Sequence, residues 1–231
     1  MPSALQAVDV VALTRAKVAP MVEGLFPQHE HAPVLEMLER SVIFLVPGNI
    51  DAALRSTPWL HTAWSLANLY LASVGAPVLS QEAPSIVGLS EETTCYVSVD
   101  YFREKDPFAD YVVHEAAHIF HNCKRTTVGL PETRRREWLL DIDFGKRETF
   151  AYACEAYSRI LAVGSTPARR REALAAHAEG SLPGDETVDT DEYLDILQEA
   201  VDARSGWKRI LQRCAPPKAP RRKANAVTTF A

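Results

Sequence analysis

The stretch "DYVVHEAAHIFHN", residues 110–122, places two histidines four positions apart, with a glutamate directly after the first. An α-helix turns about 100° per residue, so residues i and i+4 lie one above the other on the same face. On such a helix His114 and His118 present two imidazoles to one point. Glu115 is rotated too far round the helix to join them but stays within reach of a water held there. This spacing is typical of two metal ligands and a general base.

The residues around the pair predict a buried helix. Asp106 and Pro107 supply an N-cap and a first-turn proline for a helix that runs to about Asn122. The two positions between the histidines are small alanines, and the flanking positions are apolar (Val112, Val113, Ile119, Phe120). The alternative is a core helix whose histidines bond to backbone carbonyls. Two histidines at this spacing with Glu115 between them favour the metal site.

The surrounding chain predicts an α+β fold, mostly helical, with a small mixed β-sheet beside the HEAAH helix. Residues 93–101, "TTCYVSVDY", alternate in the way a strand does, with Val97, Val99 and Tyr101 on one face. A helix is predicted from about Lys146 to Val163. Further helices are expected at residues 4–25, 56–75, 167–180 and 191–214, the last with a break near Gly206, and a buried strand at residues 41–49.

The HEAAH helix with its preceding strand resembles the zincin metallopeptidases over residues 93–158. The resemblance implies a Zn²⁺ ion held by His114, His118 and a third ligand. It also implies that residues 93–101 form the edge strand that binds the substrate backbone, with Val97, Val99 and Tyr101 in contact with substrate. Lys124 stands where the metzincin branch has its third histidine. The chain is therefore similar to the gluzincin branch, whose third ligand is a glutamate on a following helix.

Two glutamates of the helix after Lys146 are candidates for this third ligand. Glu148 and Glu155 lie seven residues apart and so share a face. We predict Glu148, with Glu155 as the alternative. The nitrogens of His114 and His118 and a Glu148 oxygen should then lie about 2.0–2.2 Å from a common point.

The known gluzincins carry an aspartate four residues after the third ligand, where it supports a ligand histidine. Tyr152 occupies that position here, so the support must come from elsewhere; Asp141 and Asp143 are candidates. His121 shares the face of the two histidines, and we expect it to contact a ligand, to line the cleft or to be exposed.

These residues predict hydrolysis of peptide bonds in a peptide or protein substrate, through a zinc-bound water activated by Glu115. Tyr152 and His177 are candidate hydrogen-bond donors to the developing oxyanion. An alternative function is a latent or non-catalytic binding or regulatory protein with a bound zinc. A second alternative is a metal-free helical interaction protein.

Composition predicts a cytoplasmic protein without nucleic-acid or membrane partners. The 231 residues carry a net charge of −5, and no apolar run approaches the roughly 20 residues of a membrane span. The N-terminus lacks the pattern of a secretory signal, and the four cysteines are scattered, as in proteins with reduced thiols. We expect one domain over residues 1–214, divided into an N-terminal part (1–90) and a catalytic part (91–214), and a disordered basic tail at residues 215–231.

Overall fold

Helices dominate the structure, a computed structural model that describes residues 5, 7–80, 83, 86–133 and 136–217. The helices of this part of the chain are α1 (Val10–Leu25), α2 (Gln28–Leu38), α3 (Ile50–Ser56), α4 (Leu60–Ser73), α5 (Tyr111–Asn122), α6 (Arg147–Val163), α7 (Pro167–Ala178), α8 (Thr190–Asp202) and α9 (Gly206–Cys214). The strands are β1 (Val42–Phe44), β2 (Gly88–Glu91) and β3 (Thr94–Val97). The predicted fold class, a mostly helical α+β fold with a small mixed sheet, is confirmed.

The sheet has the strand order β1-β3-β2. The central strand β3 runs parallel to β1, with Val42 opposite Cys95, and antiparallel to β2, with Gly88 opposite Val97. Because β3 has a partner on each side, its backbone hydrogen-bonding groups are already used. Within the described residues, β2 is the antiparallel edge of the sheet.

Side chains from the two faces of β3 enter two different cores. Cys95 and Val97 are fully buried in the main core, which also contains apolar residues of α1, α5 and α6. Tyr96 points the other way and packs with Leu66 and Leu69 of α4 in a smaller core. The sheet therefore separates α4 from the α5 layer, and both β2 and β3 lie against α5.

The strand predicted for residues 93–101 is too long. It ends at Val97, because the Ser98 side chain accepts a hydrogen bond from the N–H of Asp100 and begins a 3-10 helix over Val99–Arg103. The prediction that β3 is the substrate-binding edge is also wrong, since β3 is the central strand. Val97 and Val99 are buried in the main core and Tyr101 lies on the 3-10 helix, so these three residues do not form a strand surface for a substrate.

The N-cap of the α5 helix is Asp110, four residues later than the predicted cap at Asp106. Asp106 instead accepts a hydrogen bond from the N–H of Phe108 within the preceding loop. Asp110 takes the N-cap position, but its carboxylate is paired with Lys17 of α1 at 2.6 Å. This partly buried pair joins the N-terminal part of the chain to the start of α5.

The C-terminal helices follow the prediction closely. Helix α6 is confirmed as Arg147–Val163, and α7 begins at Pro167 with Thr166 as its cap. The predicted break near Gly206 is confirmed, and a Cβ there would lie only 2.1 Å from the Tyr157 hydroxyl oxygen. Residues 218–231 of the predicted tail lie outside the described residues. In the part of the chain that is described, every helix is too short or too polar to cross a membrane.

Candidate metal centre

Two imidazole nitrogens on one face of α5 point at each other. The Nε2 atoms of His114 and His118 lie 3.2 Å apart, and both rings are largely buried. The i, i+4 spacing on a regular helix places them there without distortion. The large apolar residues of α5, among them Ile119 and Phe120, lie in the core and fix the helix in this orientation.

A carboxylate of α6 completes the group. The Oε2 atom of Glu148 lies 3.7 Å from Nε2 of His114 and 3.4 Å from Nε2 of His118. Helices α5 and α6 pack against each other, and Glu148 sits in the first turn of α6. Its side chain is 38% exposed, so the group opens to solvent on this side.

The three distances are compatible with a tetrahedral metal site. An ion bonded at about 2.1 Å to the two nitrogens and the Glu148 oxygen would lie about 0.7 Å above the plane of the three atoms. Two ligand atoms of a regular tetrahedron with bonds of about 2.1 Å are about 3.4 Å apart. The side chains of His114, His118 and Glu148 could therefore hold a metal ion.

The second nitrogen of each histidine is also held. Nδ1 of His114 donates to Oε2 of Glu155 at 3.0 Å, and the other oxygen of Glu155 accepts from the N–H of Asp110 at 2.6 Å. Nδ1 of His118 shares a hydrogen bond of 3.0 Å with Nε2 of His121. Such contacts fix the ring orientation and leave Nε2 of each ring for a metal.

Glu155 and His121 therefore support the candidate ligands. Glu155, the alternative third ligand, instead contacts the opposite nitrogen of the His114 ring. It provides the support that the known gluzincins obtain from an aspartate. Neither Asp141 nor Asp143 does so: Asp141 is exposed, and the Asp143 carboxylate accepts from the N–H of Gly145.

Glu115 lies beside the group, buried against the edge strand. A Cβ built on Gly88 of β2 would lie 2.5 Å from Oε1 of Glu115, so only glycine leaves room for this carboxylate. Burial raises the pKa of Glu115, and the nearby charge of His114 only partly offsets this. A carboxylate with a raised pKa is better suited to exchange protons near neutral pH.

The carboxylates around His114 favour its protonated form when no metal is bound. Burial lowers the pKa of His114, but hydrogen bonds to Glu148 and Glu155 outweigh burial and raise it to about 10. Burial raises the pKa of Glu148, but hydrogen bonds from His114 and His118 outweigh burial and hold this pKa well below its ordinary value. The group thus stabilises a positive charge at the position where a cation would bind.

The two candidate oxyanion donors lie in different places. Tyr152 of α6 packs edge-on against His114 with ring centroids 4.5 Å apart, and burial raises its pKa to about 12, so it keeps its hydroxyl proton. His177 is only 4% exposed; it packs on Phe108 and its Nε2 lies 2.6 Å from the Tyr193 hydroxyl. A ring enclosed in this way does not suit the predicted role of His177 as a donor to substrate.

Sequence reasoning missed the supporting role of Glu155 and the contact between Gly88 and Glu115. The sequence contained a signal for the role of Glu155: Glu148 and Glu155 share a helix face, and residues of one face can contact both sides of a histidine ring. The second had little signal, because "GLSE" (88–91) shows no clear strand alternation.

Comparison with protein families, with curated proteins and with solved structures finds no match for this chain. The resemblance to zincin metallopeptidases stays a prediction from the sequence motif. What can be said of function comes from the geometry and chemistry of these side chains.

Proposed function

We propose that this protein is a zinc-dependent metallopeptidase. The observation that supports the proposal most is the triangle of His114, His118 and Glu148 ligand atoms, with sides of 3.2–3.7 Å, next to the buried Glu115 carboxylate. Two ligands and a base on one helix, with a third ligand on the next, is an arrangement that suits metal-assisted hydrolysis.

Zinc is the ion that this set of donors favours. Imidazole nitrogens suit zinc, whereas magnesium and calcium prefer sites made of oxygen ligands. Catalytic zinc sites have three protein ligands and keep one position open, and two histidines with a glutamate are such a set. When bound, the ion would supply Lewis acidity, which polarises a carbonyl group and lowers the pKa of water.

The chain's own residues would move the protons. In the proposed reaction Glu115 accepts a proton from the attacking water and passes it to the leaving amine. Its burial against β2 keeps the carboxylate in one orientation. The Tyr152 hydroxyl, which stays protonated at neutral pH, would donate a hydrogen bond to the oxyanion that forms on the substrate.

The substrate backbone would pair with β2, in place of the strand chosen from the sequence. Strand β2 is the antiparallel edge, and its residue Gly88 touches the proposed base Glu115. An extended peptide added to such an edge would run close to Glu115 and to the candidate ligands.

Metal content and turnover of matched variants test the proposal. We expect one zinc per chain in the wild type and in Glu115→Gln, and loss of zinc in Glu148→Gln, measured by elemental analysis. Turnover of labelled casein should fall by about 10²-fold or more in Glu115→Gln. The control is Glu23→Gln, which changes an exposed glutamate of α1 and should leave both quantities unchanged.

The outcomes separate the proposal from its alternatives. Purified protein without a transition metal would exclude the metal site and favour a helical interaction protein. Stoichiometric zinc with no cleavage across a peptide library would favour a zinc-bound regulatory protein. Equal turnover by the wild type and Glu115→Gln would show that Glu115 is not the base.

A further inference from the structure

A cavity of about 420 Å³ lies next to the candidate metal centre. Polar and apolar surface line it in about equal parts, and the apolar part comes from residues that include Trp138, Leu140, Ile142 and Pro216. Small-molecule and side-chain sites have volumes of about 300–1,000 Å³ and combine apolar walls with a few polar groups. The polar groups of this cavity are on His121, Asp141 and Arg147.

Two of these residues connect the cavity to the metal centre. Nε2 of His121 lies 3.0 Å from Nδ1 of His118, and Arg147 directly precedes Glu148 on α6. His121 has both ring nitrogens occupied, since its Nδ1 lies 3.0 Å from the side-chain oxygen of Asn122. It therefore contributes an apolar ring surface, and the hydrogen bonds available to an occupant come from Arg147.

The charge of Arg147 has no counterion among the described residues. Its Nε is buried and has no hydrogen-bond partner, and no carboxylate of the described residues forms an ion pair with its guanidinium. The guanidinium lies over the Phe144 ring, 4.9 Å from the ring centre, and this contact holds it in place. Because Arg147 lines the cavity, a bound anion would supply the partner that its charge lacks among the described residues.

A carboxylate is the ligand group that fits this arginine. The planar guanidinium binds a carboxylate through two parallel hydrogen bonds, and such charge-assisted bonds are among the strongest in proteins. Asp141 lines the same cavity but forms no ion pair with Arg147, and its negative charge disfavours a ligand with several anionic groups. The favoured occupant has one carboxylate and an apolar or aromatic group for the Trp138 wall.

We propose that this cavity binds a carboxylate of the peptide substrate through Arg147, next to the metal centre. The inference rests on the proposed function only in assigning the carboxylate to a peptide. Either a C-terminal carboxylate or an acidic side chain has this chemistry. The protein would accordingly prefer peptides whose cleavage site lies close to one of these groups.

Binding measurements test the cavity without any turnover. The probes are N-acetylphenylalanine, with a terminal carboxylate, and N-acetylaspartic acid α-amide, with a side-chain carboxylate; N-acetylphenylalaninamide, without a carboxylate, is the control ligand. Titration calorimetry would be performed on zinc-loaded Glu115→Gln and on zinc-free protein, so that binding to zinc itself is separated from binding to Arg147.

The variants are matched in charge. Arg147→Gln should weaken carboxylate binding about tenfold or more, because it removes the paired charged donors. Arg204→Gln removes the same charge from an exposed position without a described ion pair and should leave affinity unchanged. Asp141→Asn should strengthen binding, because it removes a like charge from the cavity.

Each outcome decides the inference. Binding of N-acetylphenylalanine that depends on Arg147 supports a C-terminal carboxylate, and the same dependence for the aspartate probe supports an acidic side chain. Equal affinity of both probes for wild-type, Arg147→Gln and Arg204→Gln protein, or no binding, overturns the proposal. Carboxylate binding by a protein that never cleaves peptides would refute the peptidase function and leave the cavity site intact.

Discussion

Replacing Gly88 by alanine should disable hydrolysis while zinc stays bound. Gly88 opens the edge strand β2 and touches the Glu115 carboxylate, which is not among the candidate ligands. An added methyl group would meet the Glu115 side chain directly, and the ligand atoms of His114, His118 and Glu148 lie elsewhere. The substitution therefore separates the position of the proposed base from the integrity of the metal centre.

The expected magnitude follows from the overlap. The new Cβ would lie 2.5 Å from Oε1, 2.6 Å from Cγ and 2.7 Å from Cδ of Glu115. Non-bonded heavy atoms prefer separations of about 3.5 Å or more, so the carboxylate must move by about 1 Å. A displacement of about 1 Å in a reacting group can lower the rate by about 10²-fold. We expect kcat/KM to fall by about this factor.

The assay compares kcat/KM on labelled casein and zinc content for the wild type, Gly88→Ala and Gly48→Ala. Gly48 is the matched control, because a Cβ there meets no atom of the described part of the chain within 4 Å. In the Glu115→Gln background, Gly88→Ala should have little further effect, since the overlap acts through the base. Full activity of Gly88→Ala, or a rate loss of the same factor in the Glu115→Gln background, would refute the reasoning.

Three further predictions concern the support, the protonation and the stability of the protein. Glu155→Gln should weaken zinc affinity about 10- to 100-fold in chelator competition, because it removes a charged partner of His114; unchanged affinity would contradict the supporting role. Zinc affinity should keep rising with pH above 7.5, because the proton that competes with the metal for His114 has a pKa of about 10; an affinity that levels off near pH 7 would contradict this. Glu30→Gln should lower the free energy of unfolding by about 3–5 kcal/mol in urea at pH 7, because it leaves the buried Arg125 without its partner, whereas Asp51→Asn, in an exposed pair, should cost less than about 1 kcal/mol. Burial raises the pKa of Glu30, but hydrogen bonding and the charge of Arg125 outweigh burial and lower this pKa below its ordinary value of 4.5. The stabilisation by the pair is therefore present above about pH 4.5 and is lost as the pH falls through the lowered pKa.

The local parts of the site were predictable from sequence, and the contacts between distant segments were not. The spacing of His114 and His118 sets their geometry within one helix, and helix periodicity is independent of the rest of the fold. The order of strands in the sheet depends on pairing between segments far apart in sequence. The alternation at residues 94–97 identified a strand, but nothing local distinguishes a central strand from an edge one.

The edge strand itself has weak sequence signals. Its residues Gly88 and Ser90 have low strand propensity, and the strand has only four residues. Gly88 is there because the Glu115 carboxylate needs the space, a requirement of the tertiary structure. The close approach of Glu115 thus requires a residue with low strand propensity, which makes the strand hard to recognise from sequence.

The two helices of the candidate site carry their polar residues at the same spacing, and this explains why one helix face provides both a candidate ligand and its support. On α5 the residues are His114, His118 and His121, and on α6 they are Glu148, Tyr152 and Glu155, each set at positions i, i+4 and i+7. This repeat keeps three residues on one helical face, so packing α5 against α6 brings the two faces together.

The sequence could not distinguish Glu148 from Glu155, because both lie on that face. What distinguishes them is the side of the His114 ring that each contacts: Glu148 is on the Nε2 side with His118, and Glu155 is on the Nδ1 side with the N–H of Asp110. The relative placement of the two helices, which no local pattern encodes, therefore separates the candidate ligand Glu148 from its support Glu155.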